Sequence, residues 1–397
     1  MNQPFDFDTP IDRTGTHCIK WDRRQGKFNE EQVLPLWIAD TDFACPSQVT
    51  EAITKRCSHP VFGYSFPSDQ YFTSIMDWFW KRHGLALEKS WIRPACGVVT
   101  SISYCVQALT EPGDQVLIQP PVYDPFQAVI AGAGRKVVEN PLVHKDNTYT
   151  MDFAHLEQAF QKGVKMMVLC NPHNPVGRVW TRDEITRLVK LCAQYQVYLV
   201  SDEIHCDIGL FGNRCTSVLS VPEGRPWTIS CIAPGKTFNV SGLAISSLLV
   251  PDPDVSDRIN ARLRSAWLIN PSVVALEASA AAYAYGSDWL DAQLSYLEDN
   301  ARLVTDRLAA EAPSIIPAKL EGTFLMWLDF KAFGLTDQAL AQELVHTWHL
   351  GLNDGLHFGT GGEGFMRMNI GCSRSLLNQA LDNLVRMHQA HTGQNRK

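Results

Sequence analysis

Apolar positions change their period along this chain. Between residues 95 and 250 short unbroken apolar runs alternate with segments of helical period. The runs at 115–119, 136–139, 165–170, 197–201, 228–232 and 244–250 read as strands. The segments at 100–109, 125–133, 152–160 and 181–195 read as helices. Thr181 and Glu184 are spaced as a capping box, and Glu111-Pro112-Gly113-Asp114 is a turn. Strands that are apolar throughout and separated by helices predict a mostly parallel sheet covered on both faces. Ligands of such sheets bind beyond the carboxyl ends of the strands.

Outside that region the pattern differs. Residues 1–45 are irregular and rich in Asp, Pro and Trp, with a short strand predicted at 36–39. After residue 285 the spacing predicts a long helix over 289–310. Short strands follow at 323–328, near 352–354 and at 365–370, then a last helix at 376–386. The expected organisation is a large domain over 46–285 and a smaller α+β domain over 286–397, with 1–45 as an arm that joins the smaller one.

Composition narrows the classes. The 397 residues are 45% hydrophobic and 19% charged, ordinary for a globular chain and too apolar for a disordered one. The net charge of −7, scattered without a basic block, argues against nucleic acid or an anionic membrane as partner. The stretch 94–110 lacks charge but holds Pro, Gly, Ser, Thr and Gln, and reads as a buried loop and helix. Eleven cysteines with no CxxC pair predict free thiols in a reducing cytoplasm. Asp6, Asp8, Asp12 and Arg13 interrupt the start where a secretory leader needs an apolar run.

Four features fall where predicted strands end. Asn171-Pro172-His173-Asn174-Pro175-Val176-Gly177 follows the strand at 165–170, and so dense a run of Pro, Asn and Gly fixes its backbone. It reads alone as a tight turn. Asp202, in Ser201-Asp202-Glu203-Ile204-His205, ends the next strand; a carboxylate there needs a partner, and a protonated ring nitrogen or an internal cation would serve. Lys236, in Ala233-Pro234-Gly235-Lys236-Thr237-Phe238-Asn239, sits among small and apolar residues, where burial would lower its pKa and leave an amine able to form a Schiff base. Arg367 alternates with apolar residues in Phe365-Met366-Arg367-Met368-Asn369-Ile370, and its fork suits a carboxylate.

In this order and spacing the four resemble the fold-type I pyridoxal-phosphate enzymes, the class I/II aminotransferase group. The chain is more closely similar to the MalY/PatB-type branch, the cystathionine β-lyases or cysteine C–S lyases. The matching stretches are Lys20-Trp21-Asp22, LPLWIADTDF at 34–43, HPVFGY at 59–64, SDEIHCDI at 201–208, KTFN at 236–239, NPSVVAL at 270–276 and GLHFGTGGEGFMRMNIGCSR at 355–374.

The resemblance implies an α/β fold with a seven-stranded-type sheet, pyridoxal 5'-phosphate as cofactor, and roles residue by residue. Lys236 would carry the cofactor and act as catalytic base. Asp202 would pair with the ring nitrogen, Asn174 and His205 with the phenolic oxygen, and Tyr123 with the ring face. The amides of Gly97, Val98 and Val99 would hold the phosphate at a helix N-terminus. Tyr64 would reach the site from the neighbouring subunit of a homodimer, as a catalytic and cofactor-binding residue. Arg367 would hold the substrate α-carboxylate, with Ile38 and Ala39 near the substrate. The implied reaction is α,β-elimination on L-cystathionine- or L-cysteine-type substrates; transamination uses the same parts and stays open.

Two departures stand out. The stretch 240–249 has no arginine to reach the phosphate, a feature the C–S lyase branch shares, and Gly235 stands where that branch often has serine. Two other patterns carry no site. Gly359-Thr360-Gly361-Gly362-Glu363-Gly364 matches GxGxxG but leads into a predicted strand rather than a helix. His205-Cys206-Asp207 lacks a second ligand cluster, so no metal is expected.

Overall fold

The computed structural model describes residues 5–268 and 271–393. Asn270 of the NPSVVAL stretch lies outside them. Strand β1 (Leu34–Pro35) comes first, then β2 (Ile92–Ala95), β3 (Gln115–Ile118) and β4 (Lys136–Glu139). A hairpin of β5 (Val143–Lys145) and β6 (Thr148–Thr150) precedes β7 (Met166–Cys170), β8 (Tyr198–Asp202), β9 (Thr228–Ile232) and β10 (Ser246–Leu249). The later strands are β11 (Ile316–Pro317), β12 (Leu325–Asp329), β13 (Leu350–Gly351), β14 (Asn353–Asp354) and β15 (Phe365–Asn369).

Seven strands form the central sheet in the order β2-β10-β9-β8-β7-β3-β4. Only β10 runs against the others, pairing antiparallel with both β2 and β9. The mostly parallel sheet expected from the apolar pattern, with the seven strands that the family resemblance implies, is therefore present. Strand β7 shows why its strands are apolar at every position. Met166, Val168 and Cys170 join the core on one face, with the helix Val98–Leu109; Met167 and Leu169 join the core on the other. Successive side chains point to opposite faces, so a strand covered on both sides alternates nothing.

The capping box at Thr181 and Glu184 is formed in both directions. Four antiparallel strands, β11-β12-β15-β14, make a second sheet. The long helix is Ser287–Glu311 and the last one Arg374–Thr392, each longer than the spacing predicted.

Two predicted strands are displaced. The strand expected at 36–39 is β1, two residues earlier, paired in parallel with β13. Beyond it the chain leaves the ladder, because side chains rather than a neighbouring strand take the carbonyls of Trp37, Ile38 and Ala39. The strand expected at 323–328 is β12. Thr323 precedes it with φ +70°, a left-handed conformation that does not belong to a strand.

Candidate active site

Each parallel strand of the sheet delivers its next residues to the same edge. Gly97 follows β2, Tyr123 lies beyond β3, Asn174 follows β7, Asp202 ends β8 and Lys236 follows β9. These residues line one cavity of about 240 Å³, together with Ala39, Val98, Val99 and His205. Arg367, on β15, closes it from the second sheet by donating to Asn174 Oδ1 at 3.0 Å and to the Trp37 carbonyl at 2.7 Å. Ile38, next to Ala39, has its carbonyl held by Asn369. Tyr64 is not in this cavity: its side chain stands wholly in solvent, in a segment 58–67 with other exposed apolar residues at Val61, Phe62 and Phe66.

Lys236 sits in the one-turn helix Pro234–Thr237. Its Nζ donates to the Ala39 carbonyl at 2.5 Å. Burial lowers its pKa to about 8, against the opposing pull of Asp40; Arg367 adds to the lowering. The turn is braced from below. Thr237 Oγ1 donates to Asp207 Oδ2 at 2.8 Å, while Trp78 Nε1 donates to Asp207 Oδ1 and His83 Nε2 bonds it, each at 2.8 Å. Ligand atoms of His83, Cys206 and Asp207 lie within 4.8 Å of one another, a group that does not include His205. Both oxygens of its carboxylate are already bonded, which makes it a brace for the lysine turn.

Asp202 faces the cavity with one carboxylate oxygen accepting the Ile204 amide at 3.1 Å. Burial raises its pKa to about 7, although Lys236 pulls the other way. His205 is buried, and its Nδ1 has no hydrogen-bond partner among the described residues. Burial holds its pKa well below the usual value, so the ring is neutral. Burial, with Asp202 adding to it, raises the Tyr123 hydroxyl to about 12. Arg367 Nε is likewise buried without a partner, and burial lowers that guanidinium to about 10.

At the other end of the cavity the helix Val98–Leu109 begins. Gly97 caps it with φ +101°, a conformation that favours glycine. First-turn amides have no intrahelical acceptor, so those of Val98 and Val99 offer an anion site at the positive end of the dipole. Two hydroxyls there escaped the sequence reading, those of Thr100 and Ser241. Ser241 explains Gly235: a Cβ on Gly235 would lie 3.0 Å from Ser241 Oγ and 3.2 Å from its Cα. Ser241 thus leaves little room for a side chain at 235. A short hydroxylated residue six positions on gives no signal of that contact without the fold.

The arrangement presents a weakly basic amine, a carboxylate, an aromatic face and an anion cradle in one cavity, with a buried arginine at its rim. The unpartnered His205 Nδ1 and the part-bonded Asp202 carboxylate fit a planar heterocycle carrying a hydroxyl, a basic nitrogen and a phosphate. The GxGxxG stretch is elsewhere. It leads into β15, its Thr360 hydroxyl donates to Glu139 at 2.7 Å, and it holds no helix N-terminus.

Residues 32–384 match the family "Aminotransferase class I and II". The chain is 40% identical over 379 residues to cystathionine beta-lyase PatB of Bacillus subtilis, covering 95% of this chain and 98% of that protein. It is 33% identical over 384 residues to protein MalY of Escherichia coli, with 96% and 98% covered. Among solved structures it is similar to cystalysin from Treponema denticola, which contains a pyridoxal 5'-phosphate cofactor. The TM-score is 0.93 at 33% identity, covering 96% of this chain and 98% of that one.

Proposed function

The chain belongs to the class I and II aminotransferase family, and on that premise we propose that it is a pyridoxal 5'-phosphate-dependent carbon–sulfur β-lyase. Its substrates are L-cystathionine- or L-cysteine-type amino acids, split to a thiol, pyruvate and ammonia. One observation carries the cofactor: a single cavity joins the Lys236 amine, the Asp202 carboxylate and a helix N-terminus. The choice of elimination follows the relatives, named as cystathionine β-lyases at up to 40% identity.

When bound, pyridoxal phosphate supplies an electron sink for the carbanion formed at the substrate α-carbon. The protein does the rest. Lys236 Nζ would hold the cofactor covalently when it is bound, and the same amine, when free, is placed to remove the α-proton. Asp202 would keep a proton on the ring nitrogen. Asn174 Nδ2 and His205 would hold the phenolic oxygen, and Tyr123 would flank the ring. The amides of Val98 and Val99, with the hydroxyls of Thr100 and Ser241, would hold the phosphate. Arg367 takes the α-carboxylate on Nε and Nη2, the fork that suits it. Ala39 lines the cavity, and in this reading Ile38 beside it completes the wall against the substrate.

Tyr64 completes the site from a second subunit in this reading, which makes the enzyme a homodimer. Its full exposure in a lone chain, among Val61, Phe62 and Phe66, supports that placement. No helix among the described residues is long and apolar enough to cross a membrane. All eleven cysteines are free, which supports a cytoplasmic enzyme.

The test is direct. The purified dimer is given L-cystathionine with no 2-oxo acid present, and pyruvate is assayed. Steady pyruvate release is expected. Turnover that begins only when a 2-oxo acid is added would replace elimination by transamination.

The lysine geometry makes a second expectation. Only the neutral amine attacks an aldehyde, and burial brings the Lys236 pKa down to about 8. Below that pH the group is protonated and silent; above it, free. Loading of cofactor-free protein with pyridoxal phosphate should therefore quicken through about pH 8 and level off above it. Stopped-flow absorbance measures this, and a rate still climbing toward pH 10.5 would show an amine without the burial effect.

A further inference from the structure

The segment from Trp37 to Phe43 runs beside the cavity, which Ala39 lines, as a strap that side chains of other elements hold by its carbonyls. Arg367 takes Trp37 and Lys236 takes Ala39. Asn369 Nδ2 takes both Ile38 and Asp40, each at 2.6 Å, while its Oδ1 accepts the Gly371 amide at 2.7 Å. Asn239 Nδ2 takes Thr41 at 3.0 Å and Phe43 at 2.7 Å. Behind the strap, Arg13 spans Asp40 and Asp42, at 2.8 and 2.7 Å, and the fully buried Lys20 bonds Asp42 at 2.8 Å.

These holds differ in kind. Arg367 and Lys236 are the groups that the proposed chemistry draws on. A substrate carboxylate on Nε and Nη2 meets the Trp37 carbonyl already on Nη2, and a Lys236 bonded to cofactor no longer donates to Ala39 as an ammonium. Asn369 has no such competitor. It lies two residues from Arg367 on β15, so both side chains leave the same face of the strand. It is fully buried, and all three of its bonds go to backbone.

We propose that Asn369 is a positioning residue for the reaction: it fixes the strap's register beside the cavity, keeping Ile38 and Ala39 in place as the substrate wall when Arg367 and Lys236 change partners. The proposal rests on the β-lyase reading only for the identity of the substrate. The side-chain hydrogen bonds of Asn369 go to Ile38, Asp40 and Gly371 and not to Lys236 or Asp202, so the expected effect is on substrate binding.

Asn369→Asp tests it. The side chain keeps its shape and its acceptor for Gly371 but turns an anion toward two carbonyl oxygens. Sub-ångström to ångström displacement of a positioning element costs up to about 100-fold in rate. The expected loss in kcat/KM is roughly 10- to 100-fold, carried by KM, with kcat within about 3-fold of wild type. Hydrogen–deuterium exchange supplies a readout independent of turnover. In cofactor-free and cofactor-loaded protein alike, the peptide spanning 36–43 should exchange faster in the variant while the central sheet stays protected. Should Asn369→Asp not fold, Asn369→Ser removes the reach without the charge and takes its place. Unchanged exchange over 36–43 overturns the proposal, and so does a fall in kcat at constant KM. A lowered melting temperature with native kinetic constants would reduce Asn369 to a structural residue. The exchange result needs no substrate, so failure of the lyase reading leaves it standing and is seen separately as absent pyruvate.

Discussion

Lys236→Ala is expected to abolish β-elimination, lowering kcat at least about 10⁴-fold while leaving the fold intact. Two losses combine. The amine that holds the cofactor's aldehyde carbon disappears, and so does the base that removes the α-proton; a positioned general base alone is worth about 10²–10⁴. The fold should survive because the lysine's hydrogen bond goes to the Ala39 carbonyl, and the strap that carries this carbonyl has other holds. The neighbouring turn is fixed by Thr237 on Asp207, which the substitution does not touch. Removing a half-buried charge whose pKa is already lowered by burial should if anything relax the turn. The measurements are pyruvate release from L-cystathionine and a thermal melt on the same sample. A variant with native-like melting and retained lyase activity would remove Lys236 from the chemistry. Partial recovery of rate on adding a small primary amine would place the lost function in the amine.

How far the sequence carries depends on what each residue bonds. The central strands are legible because burial on both faces makes them apolar throughout, as Met166 to Cys170 shows. Lys236, Asp202 and Asn174 are legible because they stand where those strands end, and the parallel sheet brings such ends together. The helix Ser47–Cys57 escapes a periodicity reading because only Val49 on it is buried. The helix Val273–Tyr285 escapes for the opposite reason, being alanine-rich and buried nearly all round. The run Leu-Trp-Ile-Ala at 36–39 imitates a strand, yet its carbonyls go to side chains. Asn369 and Asn239 are least legible. A buried asparagine looks the same in sequence whether it ends a turn or clamps a segment 331 residues away.

Asp202→Asn should lower kcat/KM by about 10²–10³-fold, the usual cost of removing one fixed electrostatic stabiliser in a buried site. The substitution keeps size and the bond from the Ile204 amide, and takes away only the charge. That charge is expensive to hold. Burial raises the carboxyl to about 7, so near neutrality an isolated Asp202 is only part ionised. A protonated ring nitrogen beside it reverses the balance: an opposite charge at hydrogen-bond distance favours the ionised form, and the carboxylate in turn keeps the proton on the nitrogen. Asparagine can do neither, so the ring accepts electron density from the α-carbon less readily. Cofactor should still bind, since the amides of Val98 and Val99 and the Lys236 amine do not involve Asp202. The expected pattern is therefore retained cofactor absorbance with a slowed proton-removal step. An α-deuterated substrate reads this out, because a larger isotope effect on kcat/KM in the variant marks that step as more nearly rate-limiting. A variant of wild-type rate would mean that the buried carboxylate serves the fold and not the chemistry. One that has lost its cofactor would move Asp202 from tuning the ring to holding it.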